Sequence, residues 1–501
     1  MTSDTPAAAA PSFTHREISA VIWGALLAMS LAALDQTIIA TAMPAMAREL
    51  GHVSLLSWIV SAYLLTSTCV TPVVGKLSDL FGRRLVLRVC LVIFILGSAL
   101  CAMAPAMVPL ILARAFQGLG GGGLITLSQI IVADVVSPRE RGRYSAYFSA
   151  VWGTSSVLGP TLGGLLTQHY GWPWIFWINL PFGLLALLVS DRALRKLPVE
   201  HHRSPIDYLS ILLLSGATSA LLLVLSLGGK RLAWSSAPIL ALAAAALVLA
   251  ALFVAQQIRS SEPILPLRLL GDRVIQPVLM SSFLTYGSFL AISVLTPIYF
   301  QIALGASVST AGFLMIPLLF SSIVTANMTG YYSRRTGRYK RPPLVGLPVA
   351  ILAMVLVAAL ADRLSAPVAA GILLLFGAGF GPIFPCTIVA AQNAVERRHL
   401  GAVSGALGFA RSLGGAIIIA AASALVLGLC AAALARGGPI TSLEDLTQHN
   451  LPPEARHAVA NAFGIMFGTL AAALLLGLAL FARVEDRKLS DRPAVASGPV
   501  E

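Results

Sequence analysis

Gly75-Lys-Leu-Ser-Asp-Leu-Phe-Gly-Arg-Arg84 runs directly into Leu85-Val-Leu-Arg-Val-Cys-Leu-Val-Ile-Phe-Ile-Leu-Gly-Ser-Ala-Leu-Cys-Ala-Met-Ala-Pro105. The second stretch carries a single charge, Arg88. Its length is what a helix needs to cross the hydrocarbon core of a bilayer, roughly 20 apolar residues. No water is present there to satisfy an open backbone, so the segment must bond to itself as a helix. The first stretch is charged and glycine-containing, suited to a tight turn at a membrane face. The same alternation continues along the chain in both directions. The fold class this dictates is an all-α integral membrane protein.

Composition agrees. Of 501 residues, 57% are apolar and 11% charged, and the mean hydropathy is +0.85. A soluble domain carries about 25% charged residues, so an ordinary cytosolic enzyme and a disordered scaffold are both excluded. The net charge of +13 does not point to nucleic acid, because the basic residues gather in short connectors between apolar runs. Five cysteines, Cys69, Cys90, Cys101, Cys386 and Cys430, fall inside apolar runs and read as buried free thiols. Met1 to Glu17 is rich in Ala, Ser and Thr. It lacks the basic start and cleavage site of a signal peptide, so the first helix is expected to be retained.

The apolar runs predict about fourteen helices. Six lie at 19–43, 54–76, 85–105, 107–135, 144–168 and 173–191. A pair follows at 206–227 and 236–258, and six more at 274–301, 306–330, 342–361, 365–393, 400–435 and 459–482. With the N-terminus inside, 26 of the 34 Lys and Arg fall on the inner side and 6 on the outer. Only Arg114 and Arg411 remain, assigned to neither side. That asymmetry predicts an even number of crossings with both termini cytoplasmic. Gly75 to Arg83 is echoed by Gly330-Tyr-Tyr-Ser-Arg-Arg-Thr-Gly-Arg338, with Gly, Ser, Gly and Arg in register 255 residues apart. Two related six-helix halves joined by an inserted pair is the arrangement of parallel repeats in secondary transporters. The expected divisions are a cytoplasmic tail (1–18), a first six-helix bundle (19–200), the inserted pair (201–262), a second bundle (263–483) and a cytoplasmic tail (484–501).

Asp35, in Leu34-Asp-Gln-Thr-Ile-Ile-Ala40, lies deep in the first run. An intramembrane carboxylate is costly and functional by default; the alternative is a structural acid neutralised by one partner. Arg114 sits at the same depth in the fourth run, about 10–12 Å from the outer boundary at 1.5 Å per residue. Gln117 follows it by one turn. Arg114 either partners Asp35 or ties helices together. In the charged turn, Gly82 permits the bend, Asp79 can cap a neighbouring helix, and Arg83 and Arg84 can pair with carboxylates. Gly159-Pro-Thr-Leu-Gly-Gly164 suits a bend at a packed seam. The second half has almost no buried acid. Arg411 lies about 16 Å into its run and either attracts an anionic group, pairs with a distant carboxylate or serves as a tie. Gln392 and Asn393 close the preceding run. His169 and His399 lie at helix ends, where a solvated side chain is the natural reading.

Together these residues resemble the major facilitator superfamily, and within it the fourteen-span drug:proton antiporters, along most of the chain. Asp35 stands at that family's first-helix Leu-Asp-x-Thr acid, and Gly75 to Arg84 is similar to the superfamily's loop signature. Arg114, Gln117 and Gly118 match the helix-four Arg-x-x-Gln-Gly pattern. Gly159, Pro160, Gly163 and Gly164 match the helix-five antiporter pattern, and Arg411 with Gly414 and Gly415 resembles a helix-thirteen segment. The resemblance implies a major facilitator fold with a central cavity and rocker-switch exchange. By it, Asp35 and Arg114 serve proton coupling, while Gly75, Asp79, Gly82, Arg83 and Arg84 latch the inner face. Gln117 and Gly118 support the helix-four motif, Gly159 to Gly164 form a hinge, and Arg411, Gln392 and Asn393 reach the cavity. Some multidrug members carry further carboxylates in their second-half helices, and none is found in those runs here, which weakens the case for dicationic substrates.

The expected function is export of small lipophilic compounds, drugs or toxins, in exchange for protons across a bacterial-type inner membrane. A dedicated exporter of a metabolite, siderophore or lipid uses the same scaffold. Symport is less favoured by the helix-five pattern. A membrane enzyme or receptor finds no phosphate loop, zinc spacing or nucleophile triad to support it. The expected partners are a small-molecule substrate, protons and lipid, with no nucleic acid, no metal and no cofactor beyond the proton gradient, acting on a monomer.

Overall fold

The computed structural model describes residues 14–52, 55–196, 207–229, 232–260, 262–265, 271–433 and 453–489. The ends of both expected tails and most of the outer loop expected at Gly437 to His457 lie outside them. Every long element among the described residues is an α-helix. The first half comprises α1 (His15–Leu50), α2 (Leu56–Phe81), α3 (Arg83–Ala102), α4 (Met107–Val135), α5 (Pro138–Tyr170), α6 (Trp174–Trp177) and α7 (Asn179–Ala193). The inserted pair is α8 (Tyr208–Leu227) and α9 (Ala237–Arg259). The second half comprises α10 (Ile275–Ala303), α11 (Val308–Phe313), α12 (Ile316–Thr336), α13 (Arg341–Leu360), α14 (Ala366–Phe380), α15 (Ile383–Asn393), α16 (Leu400–Ala433) and α17 (Pro453–Ala482).

Among the described residues, thirteen helical stretches are long and apolar enough to cross a membrane. The remaining long helix, α5, has 33 residues but opens on Arg139, Glu140, Arg141 and Arg143, which lowers its hydropathy. It tolerates them because it packs along α1 on one side and α12 on the other. Three expected runs are divided. The run 173–191 is α6 and α7, interrupted at Ile178. The run 306–330 is α11 and α12, with a proline in the first turn of α12, and α12 continues to Thr336. The run 365–393 breaks at Gly381-Pro382 into α14 and α15. In each of the last two a proline, lacking an N–H, starts a helix more readily than it continues one. The run 400–435 is one helix of 34 residues.

Within lipid, burial of apolar side chains gives helices little drive to associate, so close packing and hydrogen bonds hold the bundle. The first half packs around Met29, Leu87, Phe94 and Leu127, with a separate cluster of Ile38, Met46, Ile59 and Trp172 toward the opposite end. The second half has one continuous core, including Tyr299, Phe376 and Phe463. In the inserted pair, α8 lies on α2 and α9 on α8.

The halves meet along two seams, α2 with α16 and α5 with α12. Both are densest at the end that carries the α2–α3 turn, here called the basic end. A Cβ on Gly75 would lie 2.3 Å from the Gly401 carbonyl oxygen, and one on Gly330 would lie 2.5 Å from that of Gly142. The glycines that open the two repeated segments therefore do the same job, one in each seam. Between α2 and α3, Gly82 adopts a φ of +83°, a conformation that L residues with side chains resist.

Gly75→Val should hold the basic end open. Spin labels at the exposed positions 85 and 345, one in each half, are expected to report longer distances than in the parent chain. An unchanged distribution would mean that this contact does not set the closure.

Candidate functional site

Asp35 lies on α1 and is 1% exposed. Its carboxylate is gathered by donors from two other helices. Arg114 Nη1 of α4 donates to Oδ2 at 2.6 Å. Gln117 Nε2, one turn along α4, and Asn179 Nδ2, at the start of α7, each donate to Oδ1 at 2.9 Å. Both amides also reach the Ser98 hydroxyl of α3, at 2.6 and 3.2 Å. Gln117 Oε1 accepts from Arg114 Nη1 at 2.6 Å and from the Cys101 thiol at 3.6 Å. The guanidinium lies over the Tyr63 ring at 4.4 Å and near Phe176 at 5.7 Å. Arg114 is also 1% exposed, so water contributes little to either charge.

The depth argument thus places Asp35, Arg114 and Gln117 together, as the sequence expects. Gly118 faces Tyr63 and Thr66 of α2, where a Cβ would lie 2.6 Å from the Tyr63 carbonyl oxygen. Sequence reasoning missed Asn179 and Ser98. The available signal was Asn179 itself, an amide inside Trp177-Ile-Asn-Leu-Pro181.

At the basic end, Asp79 crosses from the first half to the second. Its two oxygens accept the backbone N–H groups of Gly401 and Ala402 at 3.0 and 2.9 Å. These are the unsatisfied first donors of α16, where the helix dipole also favours an anion. Arg83 holds Asp79 in place, with Nη1 at 2.5 Å from Oδ1 and Nε on Asp134 at 2.9 Å. The second seam has the opposite polarity. Arg139 of α5 donates to the carbonyls of Arg334 and Arg335, at 2.6 and 3.1 Å, at the end of α12.

Other expectations need correction. Arg84 does not join the latch between halves. It pairs with Asp191 of α7 at 3.0 Å, beside the Arg88–Asp191 contact, and so ties the first half to itself. Along α5, Gly159 and Gly163 do pack against α1, with Cβ positions 2.0 Å from Thr37 Oγ1 and 2.5 Å from the Ile38 carbonyl. Gly164 packs on nothing within 4 Å, and α5 runs unbroken through Pro160. Gln392 is buried with its amide spent on Ser404 at 3.1 Å, and Asn393 is the last residue of α15 near the basic end. Arg411 is 5% exposed and meets no carboxylate among the described residues; it donates to the Phe384 carbonyl at 3.1 Å and Thr387 Oγ1 at 2.7 Å. His169 is exposed, whereas His399 is half-buried. Burial, then Arg398 and Lys76, hold its imidazole below the ordinary value, leaving it neutral at neutral pH. The five cysteines are buried and unpaired. Among the described residues there is no cluster of His, Cys, Asp and Glu fit for a metal ion.

Residues 25–419 match the family described as Major Facilitator Superfamily. The chain is 36% identical over 398 residues to Multidrug transporter protein MdtP of Bacillus subtilis (strain 168), covering 79% of this chain and 73% of that protein. It is 32% identical over 394 residues to Multidrug resistance protein 3 of the same organism, covering 79% and 77%. Efflux pump dotC of Dothistroma septosporum (strain NZE10 / CBS 128990) is 32% identical over 492 residues, or 93% and 85%. Among solved structures, the proton:xylose symporter XylE bound to 6-bromo-6-deoxy-D-glucose superposes with a TM-score of 0.65 at 15% identity, covering 97% and 99%. A bacterial homologue of the iron transporter ferroportin in its outward-facing state gives 0.63 at 14%, covering 93% and 98%. These two likenesses establish the fold alone.

Two outcomes follow from this geometry. Arg114→Met strands a buried carboxylate and is expected to cost about 3–5 kcal/mol. Adding Asp35→Asn should recover much of that, so a double-mutant cycle on thermal unfolding should depart from additivity by more than about 0.5 kcal/mol. Asp79→Asn removes a charge from two hydrogen bonds, each worth about 1.5–3 kcal/mol when charge-assisted. The balance of states should shift toward an open basic end, and identical electron–electron resonance distances would count against the latch.

Proposed function

This chain belongs to the major facilitator superfamily, and we propose that it exports small lipophilic compounds from the cytoplasm in exchange for protons, as a fourteen-span antiporter of a bacterial-type inner membrane. The observation that carries this reading is the sealed cluster on Asp35, an acid deep in the bilayer with a guanidinium and two amides aimed at it. Relatives named as multidrug transporters and efflux pumps support the direction of transport. The excess of Lys and Arg on one side supports cytoplasmic termini. The basic end is then the cytoplasmic gate, closed here by Asp79 and Arg139, and the described state faces outward.

The mechanism turns on what a proton does to the cluster. Every donor around Asp35 suits a carboxylate. A proton on Oδ2 would confront Arg114 Nη1 and cancel the charge that Arg114 answers. The cluster joins α1, α3, α4 and α7, so its loosening changes how those helices pack. Protonation from outside would destabilise the outward-facing packing, and release inside would restore it. Substrate must bind the inward-facing state on entry and leave the outward-facing one, since a ligand indifferent to the two states drives nothing.

Asp35→Asn tests the reading. With a compound found to be exported in a growth and efflux panel against a deletion strain, proteoliposomes of this variant should show no substrate-driven proton flux, measured below its own thermal transition because Arg114 loses its counter-charge and the variant is expected to melt earlier than the parent chain. Coupling at the parent rate would remove Asp35 from the mechanism.

A further inference from the structure

Arg411 is the only buried cation of the second half among the described residues. In the first half, Arg114 faces Asp35, Lys76 faces Glu262 at 2.7 Å, and the buried Arg141, near the basic end at the start of α5, donates to the carbonyls of Val136 and Ala133. Arg411 faces no acid. The described acids of the second half, such as Asp272, Asp362, Glu396 and Glu485, stand in connectors or at helix ends. Of its five N–H donors, those on Nη2 go to Phe384 and Thr387. Nε and Nη1 make no hydrogen bond among the described residues. A guanidinium with neither counter-ion nor full hydrogen bonding is expensive inside a bilayer, and it persists where something else completes it.

Its position says where that would be. On α16, Gly401, Gly405 and Gly408 face α2 in succession, and a Cβ on Gly408 would meet the Thr71 methyl at 2.8 Å. Arg411 stands one turn further along α16, away from the basic end, just past that run of inter-half glycine contacts. The Phe384 ring lies 4.2 Å from the guanidinium carbon and the Tyr286 ring 5.8 Å. Phe384 packs against the cores of both halves, so this wall belongs to the seam. Tyr286 continues it to Phe289 at 6.3 Å, which stacks on Phe380 at 4.3 Å.

We propose that Arg411, with Tyr286, Phe289 and Phe384, is the substrate subsite and that it takes aromatic carboxylates. The planar fork of the guanidinium matches a carboxylate in two parallel hydrogen bonds, and the adjoining rings offer a flat apolar wall to the body of the same molecule. A cationic drug meets the wrong charge here, and among the described residues no acid pairs with Arg411 to offset it. The assignment rests on the export reading for its physiological meaning, but binding itself requires no gradient.

The test uses the full chain in lipid nanodiscs at equal pH on both sides. The probe is tritiated 2-naphthoate, competed by the neutral 2-acetonaphthone and by the cationic (2-naphthylmethyl)trimethylammonium. The unmodified chain is expected to bind naphthoate and to resist displacement by the cation. Arg411→Gln should weaken naphthoate binding by about tenfold or more, the scale of a lost charge-assisted pair, without changing affinity for the ketone. Arg411→Lys should fall between the two. A role in helix packing alone would shift all three probes together. No binding of naphthoate, equal affinity in Arg411→Gln, or cation binding as tight as naphthoate overturns the proposal. Should Arg411→Gln fail to fold, the charge preference of the unmodified chain decides. Because no gradient is applied, a failure of coupled export and a failure of this site are separate results.

Discussion

A charge inside a bilayer has no water to fall back on, and the arrangement of this molecule follows from how each such charge is answered. Asp35 is answered three times over, by a guanidinium and two amides, and Arg114 gains two aromatic faces and a backbone carbonyl besides. An isolated buried ion costs several kcal/mol, and pairing returns that cost only when the remaining donors and acceptors are also met. Here the Ser98 hydroxyl supplies the last piece, fixing both amides so that each aims a donor at the carboxylate. The result draws four helices to one point. A change in the charge of Asp35 would therefore act on the packing of all four.

The seams between halves follow a different logic, because they must open. Hydrophobic association contributes little between helices in lipid, so contact rests on backbone approach at Gly75–Gly401 and Gly142–Gly330 and on polar links at the membrane face. Those links use helix ends. A carboxylate sits on the first N–H groups of α16, and a guanidinium on the last carbonyls of α12, each matched to the dipole it meets. For Asp79 the partner across the seam is backbone rather than a second fixed charge. When the gate opens, the helix ends and the freed side chains all reach water at the bilayer surface, which keeps the two states close in energy.

Much of this was legible in the chain. The positions of Asp35, Arg114 and Gln117 could be brought together by counting 1.5 Å per residue, because in a bilayer depth is a shared coordinate. The repeat at Gly75 and Gly330 pointed to equivalent inner turns of two related halves, and the structure places a seam at each. Asn179 and Ser98 were not legible, since an amide or hydroxyl in an apolar run is common and only its neighbours reveal whether it serves a charge. Arg84 was misplaced for a related reason: Arg83 and Arg84 share one motif, yet which acid each meets depends on how α7 returns past α3. Gln392 looked available from its position near a helix end, but Ser404 on the next helix had already taken its amide.

The division of charges constrains how two ligands could be coupled. If the proton is carried on Asp35 and an anion on Arg411, the two occupy different halves and cannot compete for one site. Their charges attract, so on Coulombic grounds alone each would favour the other, which is the wrong sign for exchange. Coupling must then run through the equilibrium between states, and the structure offers a short route for it. Two residues after Asp35, the Thr37 hydroxyl donates to the Ser155 carbonyl of α5 at 2.8 Å, and Gly159 and Gly163 bring α5 flush against the same face of α1. The other end of α5 forms the seam with α12 through Gly142 and Arg139. On the proposed coupling, a shift of α1 on protonation would be handed to a gate helix by direct contact. The carboxylate would then belong to the closed gate and the acid to the open one, letting the proton oppose the outward-facing state even while its charge would welcome the anion.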